Sequence, residues 1–407
     1  MSNRVVVTGM GIICSIGNNL EEFETGLREG RSGLKPIEAS RFDASDAYFR
    51  IHEGCTVDPE LYAEINEVDV SILTEFSVRA IREAMEKSGL DMATVDPRRV
   101  ALCVGTSVGG SYPFMRWIQD DLDGKERDYN LLRYSTPNIT GDIARQLGIR
   151  GPLSTISTAC ASGTNSIGRG FDLIRSGRAD YVIAGGVDIF TYLTFSGFNS
   201  LFALSKGNCK PFDKKRDGLN LGDGAAYVVL ESETAAQARS ANIVAEVSGY
   251  SIVNEAYHAT APHPDGIYAR RAMENALRMS GETSSGVDYI NTHGTATKAN
   301  DKMEIKAIEA LMGEEGFVHI CSTKALTGHS LGAAGSVEFV ATALSVAKNF
   351  IPASTGVAES IVVNKQLKLS GERSEECEVR LALSNSFGFS GNMASIAVRK
   401  YPSGQAA

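Results

Sequence analysis

The chain alternates short, almost continuously apolar runs with longer segments of helical periodicity, and no other feature of the sequence restricts its fold as much. Apolar runs such as VALCVGTS at 100–107 and ADYVIAGGVD at 179–188 are predicted to be buried strands, as are 224–232, 244–253, 287–295, 318–325 and 379–388. Helical patterns lie at 72–88, 139–147, 161–177, 267–280, 302–312 and 332–348. This alternation predicts an α/β protein, and the Val/Ile/Ala-rich strands predict sheets that are covered on both faces.

The two parts of the chain have the same layout. In each part, a strand that ends in Gly, Ser or Thr precedes a helix that begins with small residues. With 407 residues, the chain is long enough for two such parts. We therefore predict one composite unit made of two related halves, residues 1–245 and 246–407, which join near 234–245.

Charge and cysteine content exclude several classes of protein. A formal net charge of −9 and a pI near 5.4 argue against a nucleic-acid-binding surface, which needs a basic face. No apolar run approaches the ~20 residues of a membrane-spanning helix, and residues 1–20 lack a signal-peptide pattern. Seven scattered cysteines without a CxxC pair argue against a disulfide framework and against a zinc site. We therefore expect a cytoplasmic, reducing compartment.

One cysteine lies where a strand pattern meets a helix pattern, in STISTACASGTNSIG at 154–168. The partial positive charge of a helix N-terminus favours a thiolate, and the small residues around Cys160 leave room for a substrate. This is the layout of a covalent nucleophile. A buried cysteine that serves only as a small apolar residue is an equally good interpretation of this stretch alone.

Three further stretches combine reactive side chains with loops at strand ends. His293 lies in NTHGTATKAND at 291–301, and STKALTGHSLGAAGSVE at 322–338 contains Lys324, His329 and Glu338. Such loops are where α/β proteins place reactive groups. The glycines of SNSFGFSGN at 384–392 suit a tight turn whose backbone N–H groups can form an oxyanion hole.

Together, these stretches resemble the signatures of the β-ketoacyl-acyl carrier protein synthases, and the similarity covers nearly the whole chain. KPFDKKRDGLNLGDGAAYVVLE at 210–231 also resembles that family. The resemblance implies the thiolase fold, with two βαβαβαββ-type halves in five αβαβα layers, and assembly as a homodimer or a heterodimer. It also implies a decarboxylative Claisen condensation, in which malonyl-acyl carrier protein extends an acyl chain by two carbons.

The resemblance assigns a catalytic role to five residues. Cys160 takes the acyl group as a thioester, while His293 and His329 donate hydrogen bonds to the malonyl thioester oxygen. Lys324 orients and polarises the site, and Glu338 anchors the loop behind it. The chemistry implied needs no metal and no dissociable cofactor, because acyl carrier protein presents the substrates on its phosphopantetheine.

The resemblance also assigns six binding positions, one of which is Cys160 itself. The backbone N–H groups of Cys160 and Phe389 match the oxyanion hole, and Phe389 also matches a gate. Thr295 and Thr297 match residues that hold the phosphopantetheine arm. Val108 and Phe198 match positions that line the acyl pocket.

The sequence departs from the family in the last glycine-rich loop. The family usually has GFGGTN there, whereas this chain has GFSGNM, with Ser390 in place of a glycine and Asn392 and Met393 in place of Thr and Asn. This change is expected to affect the mobility of the loop and the shape of the pocket. For Asp301 and Glu304, which match an acidic pair after the first histidine, we expect a structural role.

A second departure concerns the carrier protein. Relatives in primary fatty acid synthesis often carry Lys and Arg in the region of 64–69, where this chain has EINEVD. We therefore expect a specialised carrier protein, or a partner subunit that supplies part of the docking face. The candidate basic contacts in this chain are Lys125, Arg127, Lys206 and Lys210.

These departures favour a type II polyketide or other specialised pathway, and housekeeping fatty acid elongation by a β-ketoacyl synthase II is the alternative. A thiolase would need a second catalytic cysteine near the C-terminus, but NSFGFSGN has none and Cys377 lies outside any matching motif. A chain-length factor, which is a non-catalytic partner of such synthases, would lack the nucleophile. Because Cys160 is present with both histidines, we do not expect this chain to be such a factor, and its partner subunit is either a second copy of this chain or such a factor.

Overall fold

The computed structural model describes residues 4–39, 41–42, 44, 48–58, 60–61, 71–125, 135–314 and 316–402, and every structural statement concerns these residues. The helices, α1 to α11 in chain order, are Leu20–Glu29, Ile72–Ser88, Ser111–Leu122, Thr136–Leu147, Ser162–Arg175, Tyr192–Ser200, Glu233–Ala238, Ile267–Ser280, Lys298–Met312, Lys324–Thr327 and Ala334–Lys348. The strands, β1 to β15, are Val5–Cys14, Lys35–Pro36, Glu53–Gly54, Val100–Gly105, Leu153–Ile156, Tyr181–Asp188, Gly224–Ser232, Ala245–Asn254, Tyr289–Asn291, Val318–Cys321, Phe350–Ile351, Leu367–Leu369, Glu375–Glu376, Leu381–Gly388 and Asn392–Arg399.

The sheet repeats one pattern twice. Its strand order is β12-β10-β9-β14-β15-β8-β1-β7-β6-β4-β5. Counted outward from the middle, β1-β7-β6-β4-β5 and β8-β15-β14-β9-β10 have the same sequence of two antiparallel pairs followed by two parallel pairs. The first strands of the two sets join them, because β1 and β8 pair antiparallel through Val5–Val7 and Ala245–Val247.

Helices fill the space between the two sets of strands and cover both outer faces. Helices α5 and α11 pack together between the sets, α2 and α4 cover the outer face of the first set, and α8 and α9 cover that of the second. The largest cluster of buried apolar side chains surrounds the two central helices, with separate clusters beneath the outer ones. These are the five αβαβα layers of the expected thiolase fold.

Small residues let the two central helices approach closely. A Cβ atom on Gly163 of α5 would lie 2.7 Å from the backbone N of Ser336 in α11, a distance that real Cβ contacts do not reach. In α11, residues 334–346 are buried throughout, and the one charged side chain among them is that of Glu338. The central layer therefore brings the N-termini of both helices, and the loops before them, to one place.

Most predicted elements agree with the structure. The helices predicted at 72–88 and 267–280 coincide with α2 and α8. The strands predicted at 287–295 and 318–325 are too long, because the chain leaves β9 after Asn291 for a loop and leaves β10 after Cys321 for the short helix α10. The sequence analysis did not identify β15, whose residues 393–398 are buried without the alternation of a half-exposed strand. The division into halves at 245 stays a prediction.

Two findings bear on the environment of the chain. Within the described residues, no helix has both the length and the hydropathy that crossing a lipid bilayer requires. All seven cysteines are free thiols, and six of them are buried. The described fold is therefore held together by packing, hydrogen bonds and ion pairs.

Candidate active site

Three predicted side chains meet between the two central helices. Cys160 lies in the turn between β5 and α5, His293 in the loop after β9, and His329 between α10 and α11. Cys160 Sγ and one ring nitrogen of each histidine lie within 4.8 Å of one another, and all three residues are buried. The first half of the chain thus supplies the sulfur, and the second half supplies both imidazoles.

The turn before α5 holds Cys160 by its backbone. Ala159 has a φ of 50°, a left-handed conformation that costs a non-glycine residue about 1–2 kcal/mol. Across the site, a Cβ atom on Gly388 would lie 3.2 Å from the Cys160 N and 3.1 Å from the Thr158 O. The next residue in that loop, Phe389, directs its backbone N–H at the cysteine sulfur. The loop of the second half thus closes directly over the nucleophile.

The resting sulfur is a thiol. Burial raises the pKa of Cys160 to about 11, while Lys324 and the Phe389 N–H lower it. The N-terminus of α5 also acts to lower this pKa. The thiolate that the helix N-terminus alone would favour is therefore not the resting form at neutral pH, and the proton must leave as the sulfur reacts.

A backbone N–H group fixes the tautomer of His329. The Leu331 N–H donates to His329 Nδ1 at 3.1 Å. A neutral imidazole whose Nδ1 accepts a hydrogen bond carries its proton on Nε2. Burial and the positive charge of Lys324 hold the pKa of His329 well below its usual value, so the ring is neutral. His329 therefore presents an Nε2–H donor.

A lysine fixes the tautomer of His293 in the same way. Lys324 Nζ lies 3.3 Å from His293 Nδ1, and an ammonium group can only donate, so Nε2 again carries the proton. Two further bonds from Nζ, to the His293 O at 2.6 Å and to Glu338, use the remaining N–H groups of the lysine. Burial, Lys324 and His329 together hold the pKa of His293 well below its usual value. Lys324 thus lies behind His293 and off the cavity wall.

Buried carboxylates support the histidine loops from behind. Glu304 accepts hydrogen bonds from the backbone N–H groups of His293 and Gly294, each at 2.8 Å. Asp301 accepts from Ala296 N at 3.1 Å and from Phe212 N at 2.8 Å. Both acidic residues therefore hold the loop that carries His293, which is the structural role expected of them.

The arrangement is better suited to hydrogen-bond donation than to metal binding. A metal ligand needs a lone pair on the coordinating nitrogen. Both Nδ1 atoms are occupied by donors, so both Nε2 atoms keep their protons. Two neutral N–H donors beside a thiol can instead stabilise negative charge that develops on a substrate oxygen.

A cavity of about 220 Å³ leads to the three side chains. Its walls include Thr295 and Thr297, whose hydroxyl oxygens lie 2.9 Å apart, and Phe198 and Phe389, whose rings stack at 5.9 Å. Val108 and Phe198 each pack against one buried apolar cluster, and Val108 is not among the wall residues. Leu219 belongs both to the cavity wall and to that cluster, so the cavity and the cluster adjoin.

Serine takes the left-handed position in the gate loop. Ser390 has φ 62° and ψ 19°, and its N–H donates to the Ala259 O at 2.8 Å. Asn254 Nδ2 donates to the Ser390 O at 3.1 Å, and Asn392 Nδ2 to the Phe389 O at 3.2 Å. The loop is therefore strained at one residue and tied at three atoms to its neighbours.

One wall of the cavity was missed by the sequence analysis. Glu255, His258, Thr260, Ala261 and Pro262 line it. His258 Nδ1 accepts from the backbone N–H groups of Thr260 and Ala261, each at 3.1 Å. The sequence did contain a signal for this wall, because His258 is one of only six histidines in the chain and lies in a Pro-containing loop after a predicted strand.

The candidate carrier contacts are partly described. Lys125 is exposed and forms ion pairs with Asp120 and Asp123 in its own turn, and these pairs partly neutralise its charge. Lys206 is exposed and Lys210 half-buried, both after the cavity-wall segment that contains Leu201 and Ala203. Arg127 and all of 64–69 lie outside the described residues.

Comparison with known families and proteins agrees with this geometry. Residues 2–236 match the N-terminal domain of beta-ketoacyl synthase, and residues 244–358 match its C-terminal domain. The chain is 37% identical to 3-oxoacyl-[acyl-carrier-protein] synthase 2 of Synechocystis sp., over 98% of both chains. It is 34% identical to the protein of that name in Staphylococcus aureus, over 98% of this chain and 99% of the other.

Solved structures extend the likeness to three dimensions. The chain is similar to "The ishigamide ketosynthase/chain length factor", with a TM-score of 0.91 and 35% identity over 99% of this chain and 100% of that one. It is also similar to a type II PKS ketosynthase solved with its acyl-carrier protein, AntDE:AntF, with a TM-score of 0.88 and 28% identity over 99% and 100% of the two chains. With its sulfur and imidazoles in one buried site, the chain therefore belongs to the beta-ketoacyl synthase family and is a condensing enzyme, an acyltransferase of the ketosynthase type.

Proposed function

We propose that Cys160 accepts the acyl chain. Its sulfur attacks the thioester carbonyl of an acyl-carrier protein, the carrier's sulfur leaves, and the cysteine proton ends on the released carrier thiol. The backbone N–H groups of Cys160 and Phe389 hold the carbonyl oxygen while it is negatively charged, since both point at the sulfur. The small residues around the turn leave the sulfur accessible from the cavity.

His293 and His329 act in the second step. The C–C bond of malonyl-carrier protein breaks, carbon dioxide leaves, and the electron pair moves onto the thioester as an enolate. The enolate carbon attacks the Cys160 thioester, its C–S bond breaks, and the cysteine thiolate takes up a proton. The observation that carries this proposal is that both Nδ1 atoms accept hydrogen bonds, which leaves two Nε2–H donors beside the sulfur.

These steps need no metal ion and no dissociable cofactor. Each bond change involves only the two thioesters and the cysteine, and the developing charge falls on an oxygen that N–H groups can hold. Free thiols at all seven cysteines support a reducing, cytoplasmic location for this chemistry.

Acyl carrier protein is the proposed partner that delivers both substrates. Thr295 and Thr297 lie on the wall of the cavity and would hold the phosphopantetheine arm. Lys206 and Lys210, together with Lys125 and Arg127, form the proposed basic contacts for an acidic carrier. Replacement of all four by alanine with no loss of carrier binding would remove this docking patch.

A second ketosynthase-like chain is the other proposed partner, either a copy of this chain or a chain-length factor. Strand β5 lies at one end of the sheet, and no described strand covers its outer edge. Leu153 on that strand is 47% exposed, although apolar strand residues are usually buried. Because β5 runs directly into the Cys160 turn, a partner strand here would lie beside the active site. Co-expression followed by size-exclusion chromatography distinguishes the two assemblies.

A specialised pathway, such as type II polyketide synthesis, is favoured over housekeeping fatty acid elongation. Support comes from Ser390 in the gate loop and from the likeness to structures of polyketide type. The likeness to 3-oxoacyl-[acyl-carrier-protein] synthase 2 proteins supports the alternative. The chain length that loads best distinguishes them.

The proposed function is tested by intact-protein mass spectrometry after mixing with a panel of acyl-carrier proteins. We expect an acyl adduct on the wild-type chain and none on Cys160→Ala. The preferred acyl group then indicates the pathway. If the wild-type chain, with and without a co-expressed partner, acquires no adduct from any donor, the proposed role of Cys160 is wrong.

A further inference from the structure

Asp188, at the end of β6, is a fully buried carboxylate that the reaction scheme does not use. It is 0% exposed and accepts four hydrogen bonds. Three come from the loop after β4, namely from Thr106 Oγ1 at 2.5 Å, Ser107 N at 2.7 Å and Val108 N at 3.3 Å. The fourth comes from Gly332 N at 2.7 Å.

These donors belong to different halves of the molecule. Residues 106–108 belong to the first half and follow Gly105, the last residue of β4. A Cβ atom on Gly105 would lie 2.7 Å from Gly163 N, so this loop packs against the helix that follows Cys160. Gly332 belongs to the second half and follows Leu331, whose N–H donates to His329 Nδ1. One carboxylate therefore ties the surroundings of the sulfur to the turn that fixes the tautomer of His329.

The hydrogen bonds require Asp188 to act as an acceptor at both oxygens. Gly109 N donates to Thr106 Oγ1 at 3.0 Å, so the threonine hydroxyl proton is free to point at Asp188. The other three donors are backbone N–H groups, and none of the four described partners carries a positive charge. Burial raises the pKa of Asp188 to about 6, and the four donors lower it. An ionised carboxylate fits these four donors, and an amide in its place would turn an N–H group towards some of them.

The turn needs such a tie because it is strained and tightly packed. Leu331 has a φ of 52°, a left-handed conformation for a branched side chain. A Cβ atom on Gly332 would lie 2.6 Å from Asp188 Oδ2, so the turn is packed directly against the carboxylate. If the Gly332 bond is lost, the strained backbone at Leu331 can relax, and this relaxation shifts the Leu331 N–H, one peptide group earlier in the chain, away from His329.

We propose that Asp188 is a positioning residue for decarboxylation, whose carboxylate holds the 330–332 turn so that His329 keeps its Nε2–H donor aimed at the substrate. The proposal rests on the proposed role of His329. It predicts an effect on the step that uses the imidazoles and a smaller effect on acyl transfer to Cys160, which does not use them.

The test compares two partial reactions in Asp188→Asn. Release of carbon dioxide from malonyl-carrier protein is expected to fall roughly 10- to 100-fold, as when a group that orients a functional histidine is replaced. Acylation of Cys160, followed by mass spectrometry, is expected to continue. Glu231→Gln is the matched control, because Glu231 is a fully buried carboxylate on the neighbouring strand β7 at its opposite end, bonded to Thr8 and Arg239. It should leave the ratio of the two partial reactions unchanged.

A second measurement does not depend on activity. In protein labelled with ¹⁵N-histidine, the wild-type His329 ring should give the signals of an Nε2–H tautomer, and Asp188→Asn should change them while leaving those of His293 in place. Thr106→Val keeps the carboxylate and removes one donor, so it should produce a smaller change in the same direction, even if Asp188→Asn does not fold.

The proposal is overturned if Asp188→Asn slows both partial reactions equally, if Glu231→Gln produces the same imbalance, or if the His329 signals are unchanged. His329→Ala separates this failure from a failure of the proposed function. If decarboxylation by His329→Ala matches that of the wild type, the role of His329 itself is wrong, whatever the result at Asp188.

Discussion

Two corresponding turns of the fold produce the site by different means. The nucleophile turn, residues 157–161, connects β5 to α5, and the histidine turn, residues 322–333, connects β10 to α11. The nucleophile turn positions its sulfur through backbone conformation and close packing. The charge that acts most strongly on this sulfur is that of Lys324, in the other half of the chain. The histidine turn contributes the buried Lys324, which pairs with Glu338 in α11. The comparison shows that one scaffold, used twice, can keep a thiol protonated at one turn and an imidazole neutral at the other.

The largest expected effect is on stability and concerns the histidine turn. Lys324→Met leaves Glu338 buried without its partner, and we expect the free energy of unfolding to fall by about 3–5 kcal/mol at pH 8. Burial raises the pKa of Glu338 to about 7, and loss of the lysine would raise it further, so the variant should lose less at pH 6, where the carboxyl is protonated. Chemical denaturation at both pH values measures this.

A matched control is Lys214→Met, which breaks an exposed pair with Glu359 and should cost no more than about 1 kcal/mol. The double variant Lys324→Met/Glu338→Leu should recover much of the lost stability, since it removes both buried charges. A double variant no more stable than Lys324→Met would contradict the view that an unpaired charge causes the loss.

The second effect separates the two turns by their activity in the two partial reactions. His329→Ala removes the N–H donor of the histidine turn, and we expect release of carbon dioxide from malonyl-carrier protein to fall about 10²–10³-fold. Acylation of Cys160 should persist, because the oxyanion hole of that step is made of backbone N–H groups. Mass spectrometry and carbon dioxide release on the same sample measure both, and equal losses would show that the two turns do not act separately.

The third effect is the pH dependence of the nucleophile turn. With a pKa of about 11, the thiolate fraction of Cys160 rises about tenfold for each pH unit between 7 and 10. Alkylation by iodoacetamide, followed at the peptide that contains residue 160, should therefore keep rising across this range. A plateau near pH 7 would mean that the helix N-terminus outweighs burial and that the resting sulfur is a thiolate.

The smallest effect compares backbone strain on the two sides of the sulfur. Ser390→Gly relieves a left-handed serine, and Ala159→Gly relieves a left-handed alanine, so each should change the free energy of unfolding by no more than about 1 kcal/mol in the stabilising direction. Ala276→Gly, at a buried alanine inside helix α8, should not stabilise. Thermal denaturation is sufficient to detect the difference, and destabilisation of both variants would show that neither residue is strained.

Much of this site could be predicted from sequence because its parts are local. A cysteine among small residues at a strand-to-helix junction, two histidines in loops at strand ends and a glycine-rich last loop are each readable from a short segment. The resemblance to one family then places them in one site. The strand and helix patterns likewise predict the α/β layers, because buried strands and helices differ in their periodicity.

The protonation of the site could not be predicted in this way. The tautomer of His293 depends on Lys324, and that of His329 on the Leu331 N–H, contacts that only the folded turn creates. The pKa of Cys160 depends on burial by the second half of the chain, which opposes the local effect of the helix N-terminus. The place of Val108 in the acyl pocket rests on the resemblance alone and stays a prediction.

Gly388 has a consequence for how this enzyme can be varied. A Cβ atom at 388 would lie only 3.1 Å from the Thr158 O and 3.2 Å from the Cys160 N, so a side chain there would require the gate loop or the nucleophile turn to shift. The departures from the family pattern at 390, 392 and 393 all lie after Phe389, beyond this close contact. A library that keeps 388 and 389 fixed and randomises those three positions would search for new chain-length preferences without disturbing the bond-making atoms.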